Sequence, residues 1–119
     1  MDEKQALTSF AALSQETRLG IVRLLVRAGA DGLAAGSVSD AVGLSSSNVS
    51  FHLSHLEQAG LIQSRRVARS IIYTVRYEAL SDLVQFLMRD CCQGRPEVCE
   101  PAMAALAARS KSRKKAVNA

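Results

Sequence analysis

Three cysteines, Cys91, Cys92 and Cys99, fall within nine residues in the stretch DCCQGRPEVCE, and the chain has no others. An odd count does not make a simple disulfide framework, and a reducing interior would keep the thiols free, so a ligand site is the economical reading. Neighbouring residues at a helix end point about 100° apart, so Cys91 and Cys92 can both reach one atom beyond the helix terminus. Gly94 and Pro96 break the helix and let Cys99 return as a third ligand. Three thiolates without a histidine or carboxylate at ligand spacing suit a soft, thiophilic ion of low coordination number. Zinc is disfavoured, because structural zinc takes four ligands and both histidines, His52 and His55, are far away in sequence. A lone cysteine is commonly a small buried hydrophobe, but three among Gly, Pro and charged residues do not make a core. The nearest rival is a thiol redox or persulfide response using two of the three. A helix C-terminus disfavours a thiolate, although Arg89 and Arg95 offset this.

The other candidate constellation, SFHLSHL, places serines beside His52 and His55. Residues on one helix provide no separate orienting acid and no oxyanion donors, so hydrolysis is rejected and no enzyme is expected. There is no glycine-rich phosphate loop either.

The elements that must position these groups are clearest between Leu44 and Val75. From Ser46 to Ala59, Val49, Leu53 and Leu56 recur four and three apart and turn one helix side inward. The other side carries Ser47, Phe51, Ser54 and Gln58, flanked by Asn48, Ser50 and His55. Small hydroxyl and amide side chains there suit close approach to base edges and phosphates. Ser45 can cap the helix start, Gly43 fits the turn before it, and Gly60 follows as a C-cap glycine. Upstream, Val38, Ala41 and Val42 read as a short first helix of a helix-turn-helix. Downstream, Leu61 to Val67 and Ser70 to Val75 are β-branched and read as a hairpin. Arg65, Arg66 and Arg69 surround its tip, and no acid lies between Gln58 and Tyr77. That local field favours phosphate. Exposed arginines on a hairpin also serve solubility, so on their own they decide little.

With 119 residues the chain is one domain near the size where a dimer partner adds useful burial. Leu80, Leu83, Val84 and Leu87 recur at helical spacing near the C-terminus, and Leu7 and Phe10 mark a first helix in the same way. One such stripe is normally core; one at each end of so short a chain points to a symmetric interface. The net charge is +4, yet five of the fifteen basic residues are Arg109, Lys111, Arg113, Lys114 and Lys115, and the remaining ten face eleven acids. The excess therefore belongs to the tail, which composition reads as a solvated end. No apolar run is long enough for a membrane, and MDEKQALTSF lacks the order of a signal peptide, so a cytoplasmic location is expected.

From about Phe10 to Leu87 the chain resembles the ArsR/SmtB family of metal-responsive bacterial repressors. The resemblance is carried by ALSQETRLGIVRLL, by SSSNVSFHLSHLEQAGLI and by the wing with its IIYTV strand. Two positions depart from it: Phe51 stands where relatives often have histidine, and the wing tip Val67-Ala68-Arg69 lacks the frequent glycine. The resemblance implies a mainly α, dimeric winged helix-turn-helix of four helices, a β-hairpin wing and a fifth helix. It implies contacts to double-stranded operator DNA from Ser46, Ser47, Ser50 and Phe51. Asn48, His52, Arg65, Arg66 and Arg69 complete the expected DNA-contacting set, although His52 lies beside the buried stripe, where a packed, hydrogen-bonded histidine is the plain reading. It also implies a homodimer built from the first and last helices, using Leu7, Phe10, Leu80, Leu83, Val84 and Leu87. Reading heads about 34 Å apart would then meet an imperfect palindrome.

Many members carry a Cys-Val-Cys sensor before the recognition helix, but here Gly36-Ser37-Val38-Ser39-Asp40 has serines in those places. The histidine-rich zinc site that other members place on the last helix is missing too. Some arsenic-responsive members instead carry a Cys-Cys pair after that helix with a third cysteine following. For this chain the resemblance implies trivalent arsenic, with antimony as the alternative, held by Cys91, Cys92 and Cys99 and causing release of DNA. The expected division is residues 1–90 for DNA binding and dimerisation, 91–100 for the cysteine-rich inducer segment, and 101–119 for an Ala-rich, then basic, flexible tail. A reading from another class is a thiol-rich metal-binding module whose winged helix docks a protein.

Overall fold

Capping side chains set where the first helices begin in the computed structural model, which describes residues 1–92, 97 and 100–108. Asp2 accepts the Gln5 amide at 2.8 Å while the Gln5 side chain accepts the Asp2 amide at 3.0 Å, a reciprocal capping box that starts α1, Glu3–Leu13. The Gln15 side chain accepts the Arg18 amide and starts α2, Glu16–Ala28. A single 3-10 turn, Gly29–Asp31, then leads into β1, Leu33–Ala34, and directly on into α3, Ala35–Val42. Gly43 ends α3 in the left-handed conformation, which glycine adopts without a Cβ penalty.

The second half contains α4, Ser46–Gln58, the strands β2, Ile62–Val67, and β3, Ser70–Val75, and α5, Tyr77–Cys92. The helix and hairpin expected from the sequence are present, with the α4 end one residue before Ala59 and the first strand starting at Ile62. Beyond the expected hairpin, β1 pairs antiparallel with β3 through Leu33↔Tyr73 and Ala34↔Ile72. The wing is therefore a three-stranded sheet of order β1-β3-β2. A two-residue strand has no periodicity of its own to reveal it. Gly32, just before β1, has φ +66°, and a Cβ there would overlap the Tyr73 carbonyl oxygen and the Cγ2 atoms of Ile72 and Thr74.

The core gathers Ala12 from the end of α1, Ile21, Val22 and Leu25 from α2, and Val38 from α3. Val49, Leu53 and Leu56 of α4 join them, with Leu61, Ile62 and Val75 from the sheet. Burying a Leu or Ile of this kind stabilises by about 1.5–3 kcal/mol each relative to exposure.

The chain forms two compact units, Met1–Leu83 and Val84–Ala119. In the second unit residues 100–108 are helical, and residues 109–119 of the expected tail lie outside the described residues. Alanine, the strongest helix former, fills five of those positions. Among the described residues no helix is long and apolar enough to cross a membrane.

Candidate nucleic-acid interface

Helix α4 has a fully buried stripe and an exposed face that leaves the protein almost bare. Val49, Leu53 and Leu56 are at 0% exposure, whereas Ser46, Ser47, Asn48, Ser50, Phe51 and Ser54 are exposed. Its start is capped by Ser45, whose hydroxyl accepts the Asn48 amide at 3.3 Å. Its end is closed in a Schellman pattern: the Gly60 amide donates to the Glu57 carbonyl at 3.0 Å and the Leu61 amide to Leu56 at 3.1 Å. The turn leading in is held by the Ser39 hydroxyl, which donates to the Leu44 carbonyl at 2.5 Å. Both ends of the helix are thus fixed by hydrogen bonds while its outer face stays open.

Phe51 is 64% exposed. Its ring meets the His52 imidazole edge-on at 5.5 Å and that of His55 at 6.4 Å. An apolar ring held in this way on a polar helix is suited to a thymine methyl in the major groove.

The wing arginines do not act alike. Side chains alternate along β2, so Ser64 and Arg66 share a face and Arg65 takes the other. The Ser64 hydroxyl donates to the Glu57 carboxylate of α4 at 2.9 Å, which puts Arg66 on the α4 side. Arg65 turns away and donates to the Asp31 carbonyl at 3.4 Å. Arg69 lies in the tip, next to Ala68, whose φ of 55° is the one positive φ at a non-glycine residue among the described residues. Tyr73, at the root of the wing, has its phenol pKa raised, first by burial and then by the Glu57 charge.

His52 is half-buried and faces inward to Arg18 of α2, whose Nη1 lies 3.3 Å from the imidazole Nδ1. Its pKa is lowered below the ordinary histidine value by burial, then by the Arg18 charge, then by His55. Sequence reasoning missed Arg18, Asp31, Glu57 and Ser64 as parts of this site. The Glu57–Ser64 bond is local enough to be guessed, whereas Arg18 and His52 are 34 residues apart and share no pattern.

Of the residues expected to dimerise, Leu7, Val84 and Leu87 are exposed, and Phe10 and Leu80 are half-buried. Leu83 is buried at 5% exposure within the protomer itself. For the expected inducer site, Cys99 lies outside the described residues, and of Cys91 and Cys92 only the helical backbone at the end of α5 belongs to them. Among the described residues no three histidines, cysteines or carboxylates come together as a metal site.

A family model described as a helix-turn-helix domain matches residues 13–65. The chain is 35% identical to the HTH-type transcriptional regulator YgaV of Escherichia coli over 75% of its own length and 88% of that protein. It is 30% identical to the transcriptional activator HlyU of Vibrio cholerae over 75% of its length and 80% of that protein. The structure of reduced HlyU matches with a TM-score of 0.59 at 31% identity, covering 76% of this chain and 92% of that one. An ArsR-like transcriptional regulator from Rhodococcus sp. RHA1 matches with a TM-score of 0.67 at 28% identity, over 87% and 90% of the two chains. With the exposed α4 and its wing, these likenesses mean that the chain belongs to the ArsR family of winged helix-turn-helix, DNA-binding transcriptional regulators.

Proposed function

We propose that this regulator is a repressor that binds a palindromic operator as a homodimer and releases it when trivalent arsenic, or antimony, is held by Cys91, Cys92 and Cys99. The observation that carries the DNA part is α4, whose buried stripe and capped ends present Ser46, Ser47, Ser50 and Phe51 outward. Arg66 on the α4 side and Arg69 at the tip supply cations for the adjacent phosphates. Leu7 on α1 and, separately, Val84 and Leu87 on α5 are exposed apolar side chains, and they support a second copy as partner.

The inducer part rests on donor chemistry. Two adjacent thiols at a helix end with a third seven residues on offer a soft, three-coordinate site without nitrogen or oxygen ligands. Bound arsenic would be held by sulfur alone, and the chain's part is to keep those thiols deprotonated and close. For release the inducer must favour the DNA-free form by about 1–3 kcal/mol or more.

One set of fluorescence-anisotropy titrations tests this: a palindromic probe from the chain's own upstream DNA under reducing conditions, with arsenite, zinc and peroxide added separately. Release by low arsenite alone, lost when Cys91, Cys92 or Cys99 is changed to Ser, is the expected result. Cysteine variants that still release DNA at the same arsenite level would refute the site. The second reading, a redox or persulfide response, is favoured by one observation: the relative HlyU has been described specifically in a reduced form. Release by peroxide and not by arsenite would select it.

A further inference from the structure

We infer that Arg18 and His52 form a buckle that seats the recognition helix on the α1–α2 corner, so that His52 is a positioning residue for operator binding and not a DNA contact. The inference rests on the operator-binding reading and is independent of the inducer.

Arg18 ties three elements together. Its own amide is held by the Gln15 side chain at 2.8 Å in the first turn of α2. Its Nε donates to the carbonyl of Ala12, near the end of α1, at 2.7 Å. Nη1 then reaches Nδ1 of His52 on α4 at 3.3 Å. A guanidinium has donors only, so Nδ1 must offer its lone pair and the ring proton must sit on Nε2. The buckle therefore needs a neutral imidazole. The charged groups acting on the ring favour that state: Arg18 from α2 and His55 from α4 itself, with none from α3 or β2 among the described residues. His52 in turn supports the edge of Phe51, so the buckle also orients the exposed ring of the reading face.

The sign of the pH effect separates this role from a direct contact. Protonating His52 puts an N–H where the guanidinium needs an acceptor, so operator affinity falls as the pH falls. A histidine that touched phosphate would give the opposite sign, since its cationic form binds better.

The test is operator affinity between pH 8 and 5.5 for the wild type, H52N, H52A and R18M, together with an NMR titration of the His52 ring without DNA. Asn Oδ1 stands near the place of Nδ1 and does not titrate. Wild-type affinity is expected to fall about three- to tenfold on acidification, the size of one neutral hydrogen bond. H52N is expected to keep the wild-type affinity with a flatter profile. H52A and R18M each lose about that factor, and the double variant loses little more. In R18M the His52 pKa rises. Affinity that increases on acidification in the wild type but not in H52N would overturn the proposal, as would additive losses in the double variant. An unchanged His52 titration in R18M would overturn the contact itself even if no probe were bound, whereas a normal shift without DNA binding would fail the operator reading alone. R18L, which likewise removes both the charge and the donors, takes the place of R18M should that variant not fold.

Discussion

Helix α4 and the wing stand side by side and are built on opposite terms. In α4 three side chains reach 0% exposure and both ends are capped, so the backbone is fixed before any ligand arrives. In β2 only Ile62 is buried and the next five residues are exposed, while the tip turns through Ala68 at a φ that side chains tolerate poorly. Burial and capping are concentrated in the helix that the proposed function turns to the base edges, whereas the wing beyond Ile62 offers exposed cations suited to phosphates.

That contrast can be broken most severely at the helix. Leu53→Ala is expected to cost about 3 kcal/mol through a cavity under the reading face, measured by urea denaturation, with operator affinity falling even where the protein is folded. Close behind is Gly32→Ala, at about 2–3 kcal/mol, because its Cβ would push β1 away from the Tyr73 carbonyl. This change acts on the root of the wing, and the same denaturation series should show it in stability more than in base preference. Phe51→Ala should leave stability nearly unchanged and remove about 1 kcal/mol of discrimination between thymine and other bases at one operator position, as read from a panel of substituted probes. Arg66→Ala should weaken all probes alike and lower the salt slope by about 1. Arg65→Ala should change it less, since Arg65 is turned to Asp31; equal slopes would remove the distinction between the two faces of β2. The smallest effect is a gain: Ala68→Gly is expected to stabilise by about 1 kcal/mol by relieving the positive φ, seen as a modest rise in Tm.

What the sequence discloses follows the range of the interactions. The inward stripe of α4, the Ser45 cap, Gly60 and the hairpin are written within a few residues of one another and could be read there. The β1–β3 pairing and the Arg18–His52 contact join positions separated by tens of residues, with no repeat or spacing to announce them. His52 shows the limit well. The sequence puts it both beside the buried stripe and among the expected DNA contacts, and the guanidinium across from it, which supports the first, is visible only in the structure. The wing arginines were grouped by their charge, whereas their separation depends on the strand's alternation and on Ser64 meeting Glu57.

Strand β1 ends at Ala34 and α3 begins at Ala35, with no loop between them. Because β1 is also paired to the central strand of the wing, a tilt of the sheet cannot be absorbed by slack chain before it reaches the helix-turn-helix. Wing and reading helix behave as the two jaws of a caliper with a stiff joint. On the operator-binding function proposed above, a duplex whose grooves do not match that opening would itself have to bend, at about 1–6 kcal/mol depending on its sequence. Operators that differ only at untouched base pairs would then be ranked by how easily they deform.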